Sequence, residues 1–197
     1  MQQFTDATDH LKEPALQNAV NELRELFQLL HQDVATCLKM VQQERTTNKV
    51  DLFWRRAYVR SVFAFIEGVT YRMKRLALEE KDKSKVDFSP AEIALLSEQT
   101  FDLDDQGEVT YRTIAFPLTK NVRFAFKALA RVNAVGYDLQ VGDAGWEALK
   151  KSLKLRERLM RPKTQDDLLI SNEEVDVVLN GSIWFVQNFK ELFNRLL

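Results

Sequence analysis

Glycine and proline are scarce in this chain, with six and four residues in 197. A strand-and-turn architecture needs both at its corners, so their shortage points to long helices. Cys37 is the only cysteine, which excludes an internal disulfide and fits a reducing compartment. His10 and His31 are the only histidines, too few to make a zinc site a sound reading. No stretch reaches the roughly 18 uninterrupted apolar residues of a membrane-spanning helix, and residues 1–14 are polar without an apolar signal core. The expected location is therefore the cytoplasm, with no membrane partner. P-loop, Rossmann glycine pattern, nucleophile elbow and metal-binding helix are all missing. Nucleotide hydrolysis, dehydrogenation and serine-type hydrolysis are poor fits, and neither cofactor nor metal is expected. The formal net charge of −1 gives no global pull toward nucleic acid, so any such binding must come from a local patch.

What is present is helical periodicity. The chain is 45% hydrophobic and 29% charged, the balance of a globular protein, and its length suits one domain spanning residues 1–197. Leu16, Val20, Leu23, Phe27, Leu30, Val34, Leu38 and Val41 recur at steps of three and four and predict one helix over about 14–44. His31 lies beside Leu30 with no second ligand nearby and reads as an ordinary surface or edge histidine. After a short break at 46–49, a second helix is predicted over about 51–80, with Trp54, Tyr58, Val62, Phe65, Val69, Met73 and Leu76 inward. Its run Val62-Phe-Ala-Phe-Ile66 is apolar all round, which marks a central helix covered on several sides.

Glu67 follows that run. Helical spacing lines it up with Arg56, Arg60, Phe63, Tyr71 and Lys74, roughly opposite the main stripe. One reading is a solvated face tied by ion pairs. The other is a carboxylate at the rim of a groove, orienting a basic residue from another helix.

Ser89-Pro-Ala-Glu92 is a capping box with proline at the first helical position, and a short third helix follows to about residue 100. The segment Asp102-Leu-Asp-Asp-Gln-Gly-Glu108 starts like a calcium loop but has Thr113 where a bidentate glutamate should stand. It reads instead as the turn of a β-hairpin near 101–114. A fourth helix is expected over 119–135, ending at Gly136, and Asp143 can cap a fifth. Ser171-Asn-Glu-Glu174 is a second capping box and opens a last helix to about residue 195, apolar enough to pack deep in the core or form a dimer interface. The expected architecture is all-α: an up-and-down bundle of five to six helices with a small hairpin insertion.

One corner stands out. Residues 145–163 carry seven basic and two acidic side chains, a local charge of +5. Trp146, Leu149, Leu153 and Met160 are expected to face the core, with Lys150, Lys154 and Arg158 opposite. Arg156 sits at the edge of the apolar stripe, where solubility alone would not place it. Pro162 breaks the helix and pushes Arg161 out of helical geometry. The break would let Arg156 and Arg161 approach one site, and two guanidinium groups are suited to phosphate.

The run Arg156-Glu-Arg-Leu-Met-Arg-Pro-Lys163, followed by an acidic loop and a capped apolar helix, resembles the signature of the HEPN superfamily. Its hallmark is an arginine, often a polar follower, then four to six residues and a histidine; many bacterial members end the motif in His-Pro-Lys. Arg156 matches the arginine, Glu157 the follower, and Pro162 and Lys163 the tail. Arg161 stands where the histidine should be. The resemblance implies an all-α bundle and metal-independent RNA cleavage, in which the 2′-OH attacks the neighbouring phosphate. It also implies a homodimer with RNA as partner and, in toxin or defence systems, an antitoxin. Arg156, Glu67 and the degenerate Arg161 are then the catalytic candidates, and Arg156, Arg161, Lys163, Arg158 and Arg60 the phosphate-binding ones. A guanidinium does not shuttle protons at neutral pH, and acid–base assistance is worth about 10²–10⁴-fold. The expected result is a weak nuclease or none. A non-enzymatic dimerisation or protein-interaction module is the competing reading.

Overall fold

Six helices and one hairpin are described by the computed structural model, which covers residues 14–47, 51–81, 84 and 86–196. In chain order these are α1 (Pro14–Thr47), α2 (Leu52–Glu80), α3 (Pro90–Leu96), β1 (Gln99–Leu103), β2 (Val109–Thr113), α4 (Leu118–Val132), α5 (Ala144–Met160) and α6 (Asn172–Leu196). The all-α bundle with a small hairpin expected from periodicity is the observed fold. His10, the Leu16 side chain and parts of the connectors around 48–50 and 82–85 lie outside the described residues.

Contacts fix the helix directions. Arg55 meets Glu44, and Arg72 meets Glu22, so α1 and α2 run antiparallel. The pair α5 and α6 does the same: Gly145 lies against Trp184, Leu149 against Gly181, and Ser152 reaches the carbonyl of Val177. By contrast, Lys74 meets Asn121 and Asn133 meets Glu80, so α4 advances along α2 in the same sense. The excursion through α3 and the hairpin makes that crossover possible.

The core is aromatic at its centre. Phe65 of α2 makes edge contacts with Phe27 of α1 and Phe185 of α6, and Phe185 meets Phe126 of α4. The stripe predicted on α2 is buried from Tyr58 to Leu76, with Trp54 half-buried at its end. Of the two options for α6, the core takes it: Val175, Val178, Trp184, Phe185, Phe189 and Leu192 are all buried.

Both predicted capping boxes form. Ser89 and Glu92 exchange bonds at the start of α3, and Ser171 and Glu174 do so before α6. Two helices end sooner than expected. α3 stops at Leu96 because Glu98 enters the left-handed region (φ 55) and starts the hairpin. α4 stops at Val132, where Ala134 (φ 52), rather than Gly136, takes the left-handed turn. Met160, expected inward, is 59% exposed: the buried stripe of α5 runs through Leu155 and Leu159, which turns Met160 outward. Lys74, placed by spacing on a solvated line, is fully buried.

Candidate functional site

The corner is built on α5. Asp143 caps it, its carboxylate accepting the N–H of Trp146 at 2.8 Å. A Cβ at Gly181 would come within 2.9 Å of the Leu149 backbone, so this glycine sets how closely α6 approaches α5. Held this way, α5 carries Arg156 over α2.

Arg156 is half-buried there. Its guanidinium lies 2.5 Å from a Glu67 carboxylate oxygen and 5.7 Å from the centroid of the Phe63 ring. The pair sits at a cavity of about 180 Å³ lined by Val59, Arg60, Phe63, Ala64, Glu67, Arg156, Leu159 and Met160. Ligand pockets usually enclose about 300–1,000 Å³, so this one suits a phosphate group rather than a whole nucleotide. Burial pushes the Glu67 carboxyl above its ordinary value; Arg156 pulls it back down and the charge of Glu98 adds to the rise. Arg60 is exposed on the same wall and has no ion-pair partner among the described residues.

The other basic residues go elsewhere. Arg158 donates to the carbonyls of Asp167 (3.1 Å) and Leu169 (2.7 Å) and pairs with Glu174 at 2.9 Å. It fastens the loop after Pro162 to the start of α6. Arg161 leaves helical geometry as the following proline requires (φ −137°, ψ 59°), while its N–H still bonds the Glu157 carbonyl. Its side chain is exposed and does not line the cavity. Lys163 is exposed too; its backbone N–H and that of Thr164 donate to Asp167, holding that carboxyl below its usual range. The fold thus gathers Arg156, Glu67 and Arg60 on one wall and leaves Arg158, Arg161 and Lys163 off it.

Chemically, this wall can hold an anion, with one guanidinium fixed by a carboxylate and a second free beside it. His31, half-buried between Phe27 and Phe65, lines no part of it. Among the described residues no group of three His, Cys, Asp or Glu side chains could hold a metal.

Sequence reasoning missed a neighbouring cluster. Lys74 donates to Glu98 at 2.6 Å and to Asn121 at 2.8 Å, joining α2, the root of the hairpin and α4. Burial lowers the Lys74 pKa, and the bond to Glu98 opposes that shift. The available signal was the apolar run on α2, which already marked a helix covered on several sides. No helix among the described residues is long and apolar enough to cross a membrane. No family model, curated protein or solved structure matches this chain.

Proposed function

We propose that the chain is a HEPN-like RNA-interacting protein, its phosphate site at the Arg156–Glu67 corner and its catalysis impaired by arginine at position 161. The observation that carries this reading is the meeting of Arg156 and Glu67 at a small cavity about one turn before α5 ends at Met160. The motif arginine of the resemblance thereby reaches a carboxylate of α2 beside a small open space, whereas Arg158 spends its donors on the loop carbonyls and Glu174. Among the residues lining that cavity there is no histidine, so the site can stabilise charge on phosphate and has only Glu67, already engaged by Arg156, as a group that could assist the 2′-OH. A homodimer, a toxin or defence role and an antitoxin partner rest on the resemblance alone, and a cytoplasmic setting rests on the sequence composition alone.

The test is RNA binding by anisotropy across a salt series, with cleavage followed in EDTA. Binding should weaken with salt and drop on Arg156→Ala. Cleavage to 2′,3′-cyclic ends should be absent or slow, and Arg161→His should raise it if the backbone swings that side chain to the bound phosphate. Binding unchanged in Arg156→Ala removes the corner as the site. The second reading, a protein-interaction module, is favoured by the hairpin, whose apolar side faces solvent.

A further inference from the structure

Two surfaces that share no lining residue with the Arg156 cavity complement each other. The first is the hairpin. Its register pairs Phe101 with Tyr111 and Leu103 with Val109. Side chains alternate along a strand, so these four share one face. They are 62%, 67%, 64% and 57% exposed, respectively. On the reverse face, Thr100 and Thr110 are half-buried and Asp102 pairs with Arg112. This hairpin therefore turns its apolar side to solvent, and such patches mark interaction sites. Its tip is acidic, with Asp104, Asp105 and Glu108 around a turn made by Gly107 (φ 80). Its root is firm: Glu98 accepts from Lys74 and, through its carbonyl, from the N–H of Ile114.

The second surface is an open groove of about 940 Å³ along α4. Lys120, Arg123 and Lys127 line it at steps of three and four, exposed and without ion-pair partners among the described residues. Phe124, Tyr137 and Leu139 supply half-buried apolar surface between and across from them. Arg131 at the far end is already held by Glu92 and the Phe88 ring, and Asp138 is the one acid in the lining.

We propose that the chain self-associates by seating the hairpin of one copy in the α4 groove of another. The two surfaces are apolar and opposite in charge: the hairpin carries Asp104, Asp105 and Glu108 and the groove Lys120, Arg123 and Lys127, none of them in an ion pair among the described residues. A chain's own hairpin does not fill its groove, because its four apolar side chains are more than half exposed. The occupant therefore comes from a second copy. A single-stranded nucleic acid would satisfy the groove cations but leave the hairpin face unexplained. The contact joins two different patches: made reciprocally it closes an isologous two-fold dimer, and made head to tail it is heterologous and forms a ring or propagates. It is independent of the RNA reading.

Solution mass by light scattering over a concentration series tests it, with the hairpin variant Phe101→Asp/Tyr111→Asp and the groove variant Arg123→Glu/Lys127→Glu. All four positions are exposed, and circular dichroism checks that both variants stay folded. The wild-type chain should associate, and each variant should do so roughly tenfold more weakly or worse. Mixing the two variants should restore association, since the intact hairpin of one meets the intact groove of the other. A monomeric wild type overturns the proposal, as does unchanged mass in either variant or a mixture no heavier than its parts. So does a groove variant that loses only RNA binding and keeps its mass.

Discussion

Arg156 and Glu67 join α5 to α2 through a 2.5 Å contact that both places the guanidinium and shields it. The two side chains are 31% and 42% exposed, so water screens the pair, and its net worth lies between zero and about 1 kcal/mol. On the proposed RNA-binding reading, a phosphate arriving at the cavity would compete with the carboxylate for the same donor.

Competition of this kind gives a signed prediction. Glu67→Gln should tighten RNA binding by roughly two- to five-fold, the range set by a pair worth up to about 1 kcal/mol. Arg156→Ala should weaken binding and reduce the salt slope by about one. Because burial raises the Glu67 pKa, acidification discharges it sooner than an ordinary glutamate. Wild-type binding should then tighten as pH falls toward the carboxylate range, and Glu67→Gln should lack that component. Anisotropy titrations at several pH values decide the matter. Weaker binding by Glu67→Gln would make the carboxylate an essential orienting group instead.

Arg158 lies in the same basic run, yet the opposite outcome is predicted for it. Its bonds to the Asp167 and Leu169 carbonyls and to Glu174 close the loop onto α6. Arg158→Ala should cost about 1–3 kcal/mol, the scale of hydrogen bonds to a charged group, and leave RNA binding almost intact. Thermal melts beside binding isotherms separate the two effects. A binding loss with no change in melting would return Arg158 to the phosphate site.

The difference between Arg156 and Arg158 shows what one sequence makes legible. Periodicity and capping boxes are local, so helix starts at Asp51, Ser89, Asp143 and Ser171 could be read directly. The stop of α5 at Met160 before Pro162 was equally local. Which arginine turns to which carboxylate depends on helices far apart in the chain, and a list of basic residues cannot rank them. Lys74 makes the same point. Its spacing placed it on a polar line, but α4 and the hairpin root cover that line, and Glu98 and Asn121 arrive from 24 and 47 residues away to satisfy it. Ends set by left-handed residues such as Glu98 and Ala134 were also hidden, because neither residue type announces that geometry.

Arg55 and Glu44 form an ion pair at 3.0 Å with side chains only 7% and 5% exposed. Arg55 also donates to the Ile170 carbonyl and to Asn172, tying the end of α1 and the start of α2 to the start of α6. Arg55→Ala is predicted to cost about 3–5 kcal/mol, because it strands the Glu44 charge in the interior. The double variant Glu44→Leu/Arg55→Met should cost clearly less than the sum of the two single changes, since it removes both charges together. Urea unfolding of the four proteins measures this cycle. Strict additivity would mean that the two groups do not sense each other.

His31 packs against Phe27 and Phe65 with ring centroids 5.6 and 5.7 Å apart, and its pKa is lowered from 6.5, first by burial and then by the charge of Lys190. The unfolded chain therefore binds a proton here more readily than the folded one. Stability should be full above the ordinary histidine pKa, decline as pH falls through 6.5 toward the lower folded value, and level off below it. Glu92, at about 2, titrates below this window, and Glu67, raised by burial, is common to wild type and variant and cancels in the comparison. Replacing His31 with phenylalanine should flatten the stability profile between about pH 7 and 5.5 without abolishing folding, because the site is already an aromatic stack. Denaturant unfolding at closely spaced pH values gives the answer. An identical slope in wild type and His31→Phe would show that the imidazole titrates alike in both states, and the burial between Phe27 and Phe65 would then be energetically idle.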